Sequence, residues 1–398
     1  MKTPFTYASQ VPLRNREWLW ENRIPFGALT IIEGYPGQGK SLFVVDLAAR
    51  VTRGAAMPLD TKPRKPAGVV YLVGEEDWEY DVAPRLAAAR ADRKRIRCSK
   101  VEMLDDVEQL ATEIRDVKAK VIIVDPLLQF LPCGIAWGDN ARWRQKLKPL
   151  RDLAQATRVA IVVVRHFTKN ASGNAHDRGE GPRAFGAMAR GVHYVTTMSR
   201  AAYFAARALA GSPVEDANPN GPDFSFISPV KVNGAPRAAL VPLNFSIIGT
   251  PLKIGGKPSS QPIADDWRES MLSREDVEKI SAQEQKREKG ELARAKKWLA
   301  TQLAGGDVAA TDIAKEAEEE GISERTLMRA KADLGVRSVP RYTDGKRASW
   351  WTLKQTKAAK GAKNAKAARG ADGRLPGKAG TVGGLPKAAR GAKAATLH

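Results

Sequence analysis

The octapeptide Gly34-Tyr35-Pro36-Gly37-Gln38-Gly39-Lys40-Ser41 fits the phosphate-loop pattern G-x-x-x-x-G-K-[ST] at every fixed position. No other stretch constrains the fold as much, because the pattern works only where a strand runs into a helix. Both flanks supply that context. Ala28-Leu29-Thr30-Ile31-Ile32-Glu33 reads as a strand, and Leu42 to Arg50 carries apolar residues at helical spacing. Glycines at 34, 37 and 39 let the backbone curl with its N–H groups facing inward, the arrangement that holds phosphate oxygens. A helix beginning at that point adds the positive end of its dipole. Lys40 can then reach the β- and γ-phosphates of ATP, and the Ser41 hydroxyl can ligate Mg²⁺. The stretch from Gly34 to Leu42 is the predicted nucleotide site.

Upstream, Trp18-Leu19-Trp20 is expected to pack on the first strand or on a neighbouring subunit, with stacking of a ring on the nucleotide base as the alternative. Downstream, Gly68-Val69-Val70-Tyr71-Leu72-Val73-Gly74 is an apolar run of the kind buried on both faces of a sheet. It ends in Glu75-Glu76-Asp77. Acids at a strand's carboxyl end are candidates to orient and deprotonate an attacking water, or else they open the next helix. Val101–Leu104 reads as a short strand and Asp105 as the cap of a helix reaching about Val117. Val121-Ile122-Ile123-Val124-Asp125 has the Walker B form, 85 residues after Lys40, and its carboxylate would hold Mg²⁺ directly or through water. The strand Val159–Val164 leads into Arg165-His166, where His166 is a γ-phosphate sensor or a structural histidine.

A polar, Gly-containing loop is expected over 170–181, then a helix to Arg190 and strands at 192–197, 223–232 and 239–242. Strands alternating with helices predict an α/β fold with a mainly parallel sheet. The Gly-, Pro- and Ser-rich stretch 249–264 reads as a domain boundary, followed by a charged helix from Asp265 to about Leu303. Two short helices, 311–320 and 324–334, the second capped by Ser323, precede a hairpin turning at Asp344-Gly345. That is a winged-helix arrangement, and its second helix would offer Arg325, Arg329 and Lys331 to a DNA groove; a protein-binding winged helix is the alternative. The predicted division is an N-terminal arm (1–22), an ATPase domain (23–248), a linker with a charged helix (249–290), a winged helix (291–354) and a disordered basic tail (355–398).

Composition bears on partners. The chain of 398 residues has a net charge of +21 and is 43% hydrophobic, enough for a core plus a polyanionic partner such as nucleic acid. From Lys357 the sequence is Ala/Lys/Arg/Gly low complexity, with ten Lys or Arg against one Asp, and such tails bind phosphate backbones without sequence preference. No run of about 18 apolar residues occurs, so no membrane span is expected. Cys98 and Cys133 form no C-x-x-C pair, which suits a reducing cytoplasm.

Taken together these residues resemble the RepA-type branch of the RecA-like ATPases, the group containing hexameric replicative helicases of plasmids and phages. The resemblance covers about Trp18 to Pro236. It is carried by Trp18-Leu19-Trp20 to Ile24-Pro25, the phosphate loop, Tyr71 to Leu86 with Pro84-Arg85-Leu86, and Val124-Asp125-Pro126-Leu127. Asn140-Ala141 with Arg144, Arg165-His166 with Lys169, Arg178-Gly179-x-Gly181, Ala184-Phe185 and Arg190 complete it. The C-terminal block resembles the winged-helix modules that follow this ATPase in phage-type proteins. The resemblance implies Glu75, rather than Glu76, as the catalytic glutamate, His166 as the sensor, and Arg190 as an arginine finger reaching a neighbour's γ-phosphate. It likewise implies that Lys231 acts across a subunit interface. Pro182, Arg183 and Asn233 depart from the family pattern. The implied activity is Mg²⁺-dependent ATP hydrolysis coupled to DNA, by a homo-oligomer such as a hexameric ring. The open alternative is an ATP-switched DNA-binding regulator that does not unwind.

Overall fold

The computed structural model describes residues 7–98, 104, 106–131, 133–136, 138–167, 183–209, 221–343 and 346–353. Two compact units result, residues 1–287 and residues 288–398.

In the first unit, β1 (Trp18–Trp20) and β2 (Ile24–Pro25) form a small antiparallel ribbon ahead of β3 (Leu29–Gly34), which runs through the phosphate loop into α1 (Lys40–Arg53). Next come β4 (Gly68–Val73), α2 (Ala83–Ala88), β5 (Ile96–Cys98), α3 (Val107–Val117), β6 (Ala119–Asp125), α4 (Asn140–Thr157) and β7 (Ala160–His166). They are followed by α5 (Arg183–Met188), β8 (Gly191–Met198), α6 (Arg200–Leu209), β9 (Phe224–Val232), β10 (Leu243–Ile254) and β11 (Lys257–Glu269). One sheet takes nine of these strands in the order β11-β10-β9-β8-β3-β7-β6-β4-β5. The strands from β8 to β5 are parallel, whereas β9, β10 and β11 are antiparallel to their neighbours.

The strand sequences explain the layering. Successive side chains alternate faces, so Val70, Leu72, Ile122, Val124, Ile161 and Val163 enter one core together with Trp143 and Leu147 of α4. Val69, Tyr71, Val121, Ile123, Val162 and Val164 enter the other, against Phe43 and Leu47 of α1. Full burial on both faces is why these strands are apolar at every position rather than at every second one. Phe43, 2% exposed, stabilises the second core by roughly 1.5–3 kcal/mol. Trp20 belongs to that core as well, its ring stacked 6.0 Å from Phe43 and edge-on to Trp267, so the upstream tryptophans pack inward and stack on no base.

The stretch 249–264 is not a linker. It lies within a long hairpin, with β10 and β11 paired from Leu243↔Glu269 to Ile254↔Lys257 and turned through Gly255-Gly256, both at positive φ. Pro258 and Pro262 are tolerated because β11 is the edge strand, where a missing N–H leaves no ladder bond unmade. The charged helix starts correspondingly later, as α7 (Arg274–Gln302). No strand forms at 239–242: a 3-10 turn, Arg237–Ala239, is followed by irregular chain, and the next strand begins at Leu243. Asp106, not Asp105, caps α3 by accepting from the Gln109 N–H. Of the strand expected at 101–104 only Leu104 lies within the described residues, and the edge strand beside β4 is β5. The loop expected at 170–181 and the tail 355–398 lie outside the described residues.

The second unit holds the end of α7, then β12 (Val308–Ala309), α8 (Ala310–Glu319), α9 (Glu324–Asp333), β13 (Arg337–Thr343) and β14 (Lys346–Thr352). Its three strands form an antiparallel sheet in the order β12-β14-β13. Ala295, Leu299, Ile313, Leu327, Ala330 and Trp351 make its core. Ser323 caps α9 by accepting from the Thr326 N–H at 3.3 Å. Asp344-Gly345, the expected turn, lies outside the described residues. Among the described residues no helix is long and apolar enough to cross a membrane.

Candidate active site

The site is built at the carboxyl ends of β3, β4, β6 and β7, four adjacent parallel strands. Gly34 closes β3 so near to β8 that a Cβ would stand 2.1 Å from the Val195 carbonyl oxygen, and only glycine fits. Gly37 and Gly39 have φ of 77° and 85°, the left-handed conformation that curls the loop before α1 begins at Lys40. Pro36 and Gly37 are exposed at its crest, Gln38, Ser41 and Leu42 are half-buried, and the Tyr35 ring meets Phe167 edge-on at 5.2 Å.

Lys40 is only 3% exposed, and its Nζ donates to the Tyr35 carbonyl at 2.6 Å. Burial pulls its pKa down to about 8, opposed by the charges of Asp125 and Glu75. Asp125, at the end of β6, is pushed up to about 6 by burial, while a hydrogen bond from Ser41 works the other way. A buried ammonium and a destabilised carboxylate beside a hydroxyl are groups whose charges lack full compensation within the chain. Phosphate would supply it to Lys40, and a divalent cation to Asp125. The pairing of carboxylate with hydroxyl oxygen is a hard donor set of the kind Mg²⁺ takes, so the residues present fit both ATP and Mg²⁺.

Glu75 and Glu76, neighbours in sequence, have different surroundings. Both Glu76 oxygens accept from Arg85 Nη1, at 2.6 and 2.7 Å. Glu75 is half-exposed and faces His166, with Oε2 3.7 Å from Nε2, beyond hydrogen-bond length. Asp77 caps the turn leading into α2 by accepting from the Glu79 and Tyr80 N–H groups. The three acids thus divide into a carboxylate open to solvent, an ion-pair partner and a cap. Burial lowers the pKa of His166, as does the charge of Lys40, against the pull of Glu75, so the ring is neutral at neutral pH.

Residues 2–172 match the family described as AAA domain. The chain is also similar to the DNA repair protein RadA of Halalkalibacterium halodurans, 29% identical over 147 residues, which are 36% of this chain and 28% of that protein. Similarity to the DNA repair protein RadA of Bacillus subtilis is 25% over 150 residues, 37% of this chain and 29% of the relative. The chain therefore spans under a third of the length of these curated relatives. Fold, loop and likeness agree on an α/β core of the RecA-like P-loop type.

Not every expected residue joins this cluster. Arg190 precedes β8 at the amino end of the sheet, its N–H donating to the Leu29 carbonyl at 2.8 Å. β3 separates it from Gly34 by five residue steps, roughly 17 Å. Lys231 of β9 is beside it, registered against Val192, with Nζ 3.3 Å from the Gly186 carbonyl. Burial and then the charge of Arg190 lower its pKa. Among the described residues, neither has a carboxylate within ion-pair distance. In the second unit, Arg329 pairs with Glu288 at 3.3 Å, and Lys331 donates to Ser338 at 2.7 Å while lying 4.1 Å from the centre of the Trp351 ring. Arg325 is exposed on the same helix. Of the resemblance's patches, Lys169 and Arg178-Gly179-x-Gly181 lie outside the described residues.

One polar network had no motif to announce it. Gln38 Oε1, on the phosphate loop, accepts from the Thr196 hydroxyl at 3.2 Å, the Thr197 hydroxyl at 2.8 Å and the Thr197 N–H. Ser281 of α7 bonds the Thr196 hydroxyl and donates to the Thr197 carbonyl. Two adjacent threonines near the end of a buried strand were the available signal.

Proposed function

We propose that this protein is a cytoplasmic Mg²⁺-dependent ATPase whose hydrolysis is coupled to DNA binding, working as a replicative helicase or replication protein of phage or plasmid type. The observation that carries the ATPase half is the convergence of Lys40, Ser41, Asp125 and Glu75 on one end of one sheet, with Glu75 left open while Arg85 occupies Glu76. The loop N–H groups and Lys40 bind the triphosphate. Ser41 and Asp125 would hold Mg²⁺, which when bound neutralises phosphate charge. Glu75 takes the proton of the attacking water, and His166, 3.7 Å from that carboxylate, is read as the sensor of the γ-phosphate. Arg190 and Lys231 lie too far from their own loop to act there, so they are read as serving the triphosphate of a neighbouring subunit in a head-to-tail ring, a hexamer in the simplest reading.

The DNA half rests on the +21 net charge, the basic tail and the likeness to DNA repair proteins. The helix-helix-sheet order of the second unit supports a winged-helix reading in which α9 presents Arg325, Arg329 and Lys331 to a groove. The test is ATP turnover with and without single-stranded DNA, followed by strand displacement on a forked duplex. Stimulation by single strands together with displacement is the expected result. Stimulation by duplex alone, without displacement, would replace the helicase with an ATP-switched regulator.

A further inference from the structure

At the amino ends of β3 and β8, on the opposite side of the first unit from the phosphate loop, lies a cavity of about 620 Å³ lined by Arg16, Arg151, Arg158 and Arg190. Arg158 is paired with Glu17 at 3.0 Å and Arg151 with Asp152 at 2.9 Å. Among the described residues, Arg16 and Arg190 have no carboxylate within ion-pair distance. Arg16 is positioned by packing: it lies across Gly234, with Nε 3.1 Å from where a Cβ would stand. Lys231 adds another cation next to Arg190. Like charges gathered without counter-ions repel, and the arrangement is relieved by an anionic occupant.

The opposite end of the same sheet carries the complementary charge. The turn after β4 runs Glu75-Glu76-Asp77-Trp78-Glu79-Tyr80-Asp81, and Arg85 answers only Glu76 and Asp81. Glu79 is exposed with its carboxylate unpartnered among the described residues, and Tyr80 is 77% exposed, a large ring uncovered on the same acidic turn. One face is concave and basic, the other acidic with an exposed ring. Because they lie at opposite ends of the first unit, joining them between copies gives a heterologous contact that repeats.

We propose that the arginine-lined cavity is the docking site for the Glu75–Asp81 turn of a second copy of this chain, with Arg16 the cation that meets Glu79. The partner is identified by complementary charge carried at the two ends of this chain's own first unit, next to the exposed ring of Tyr80, and the test below distinguishes it from DNA. The inference rests on the head-to-tail reading above and gives it a surface: docking in this sense brings Arg190 of one copy toward the catalytic end of the next.

Charge reversal tests it on the full chain. In sedimentation velocity with ATP and Mg²⁺, Arg16→Glu and Glu79→Arg should each weaken assembly by at least about tenfold, since each sets like charges together. Combining both in one chain should restore assembly to within about threefold of wild type, because every interface then regains an opposite pair. The far-ultraviolet circular dichroism spectrum should be unchanged in all three variants, which separates lost docking from lost folding. The proposal is overturned if either single variant assembles as wild type, if the double is no better than the singles, or if Arg16→Glu weakens DNA binding alone. A wild-type chain that hydrolyses ATP as a monomer would overturn this inference and leave the ATPase reading standing; a chain that assembles without hydrolysing would do the reverse.

Discussion

The carboxyl end of the main sheet and the face of α9 both present charged residues that the sequence marks as functional, yet the fold treats them in opposite ways. Lys40 and Asp125 are buried, with pKa values displaced toward neutrality, and each remains short of compensation until a ligand arrives. Arg329 and Lys331 lie at the surface, where one pairs with a carboxylate and the other rests on an aromatic ring and a hydroxyl. Burying a charge costs folding free energy that only a specific partner offsets. A solvated charge costs little and so says little. The comparison teaches that the chain leaves the first cluster short of compensation, whereas the second must first give up contacts within its own unit.

The sharpest break in that comparison would come from Lys40→Ala, which removes the buried cation. Turnover should fall by roughly 10³-fold, the scale for losing a preorganised electrostatic group, while melting temperature stays level or rises. Next in size is the contrast between adjacent acids: Glu75→Gln should lower kcat by about 10²-fold or more, as for a lost general base, and leave nucleotide binding intact. Glu76→Gln should instead act mainly on stability, through Arg85, and turnover that survives Glu75→Gln would reassign the base. For the exposed cluster, the double change Arg329→Ala with Lys331→Ala should weaken DNA binding by only about tenfold and make the plot of log affinity against log salt shallower by roughly two phosphate contacts. An unchanged slope would show that α9 does not face DNA.

The smallest effect is a proton count. A lysine whose pKa is lowered to about 8 is mostly neutral at pH 8.5, and phosphate binding favours its charged form. ATP binding at pH 8.5 should therefore take up a fraction of a proton, measurable by calorimetry in buffers of different ionisation enthalpy. Lys40 should contribute little uptake at pH 7, where it is already largely protonated, and Lys40→Met should abolish the contribution at 8.5.

The parts legible in the sequence were those whose signal is local. A phosphate loop is contiguous, and the apolar runs ending in Glu75, Asp125 and His166 state both their burial and their direction. The hairpin of β10 and β11 was not legible, because its stability comes from pairing across the turn while its composition of Gly, Pro and Ser is that of a linker. The different fates of Glu75 and Glu76 were hidden for a similar reason: Arg85, nine positions after Glu76, decides between them only once a turn of helix has brought it back. Arg190 and Lys231 lie 41 positions apart in the chain, and the register of β8 against β9 is what makes them neighbours.

Gln38 has one further consequence. Its side-chain oxygen is held by the threonines that Ser281 also holds, so the crest of the phosphate loop and the first turns of α7 share a tether. Any displacement of the crest on filling must stretch or relax that tether, and α7 continues unbroken to Gln302. The helix would thereby act as a strain gauge for the loop, and the exchange rates of its amide hydrogens near Ser281 should change when ATP is added.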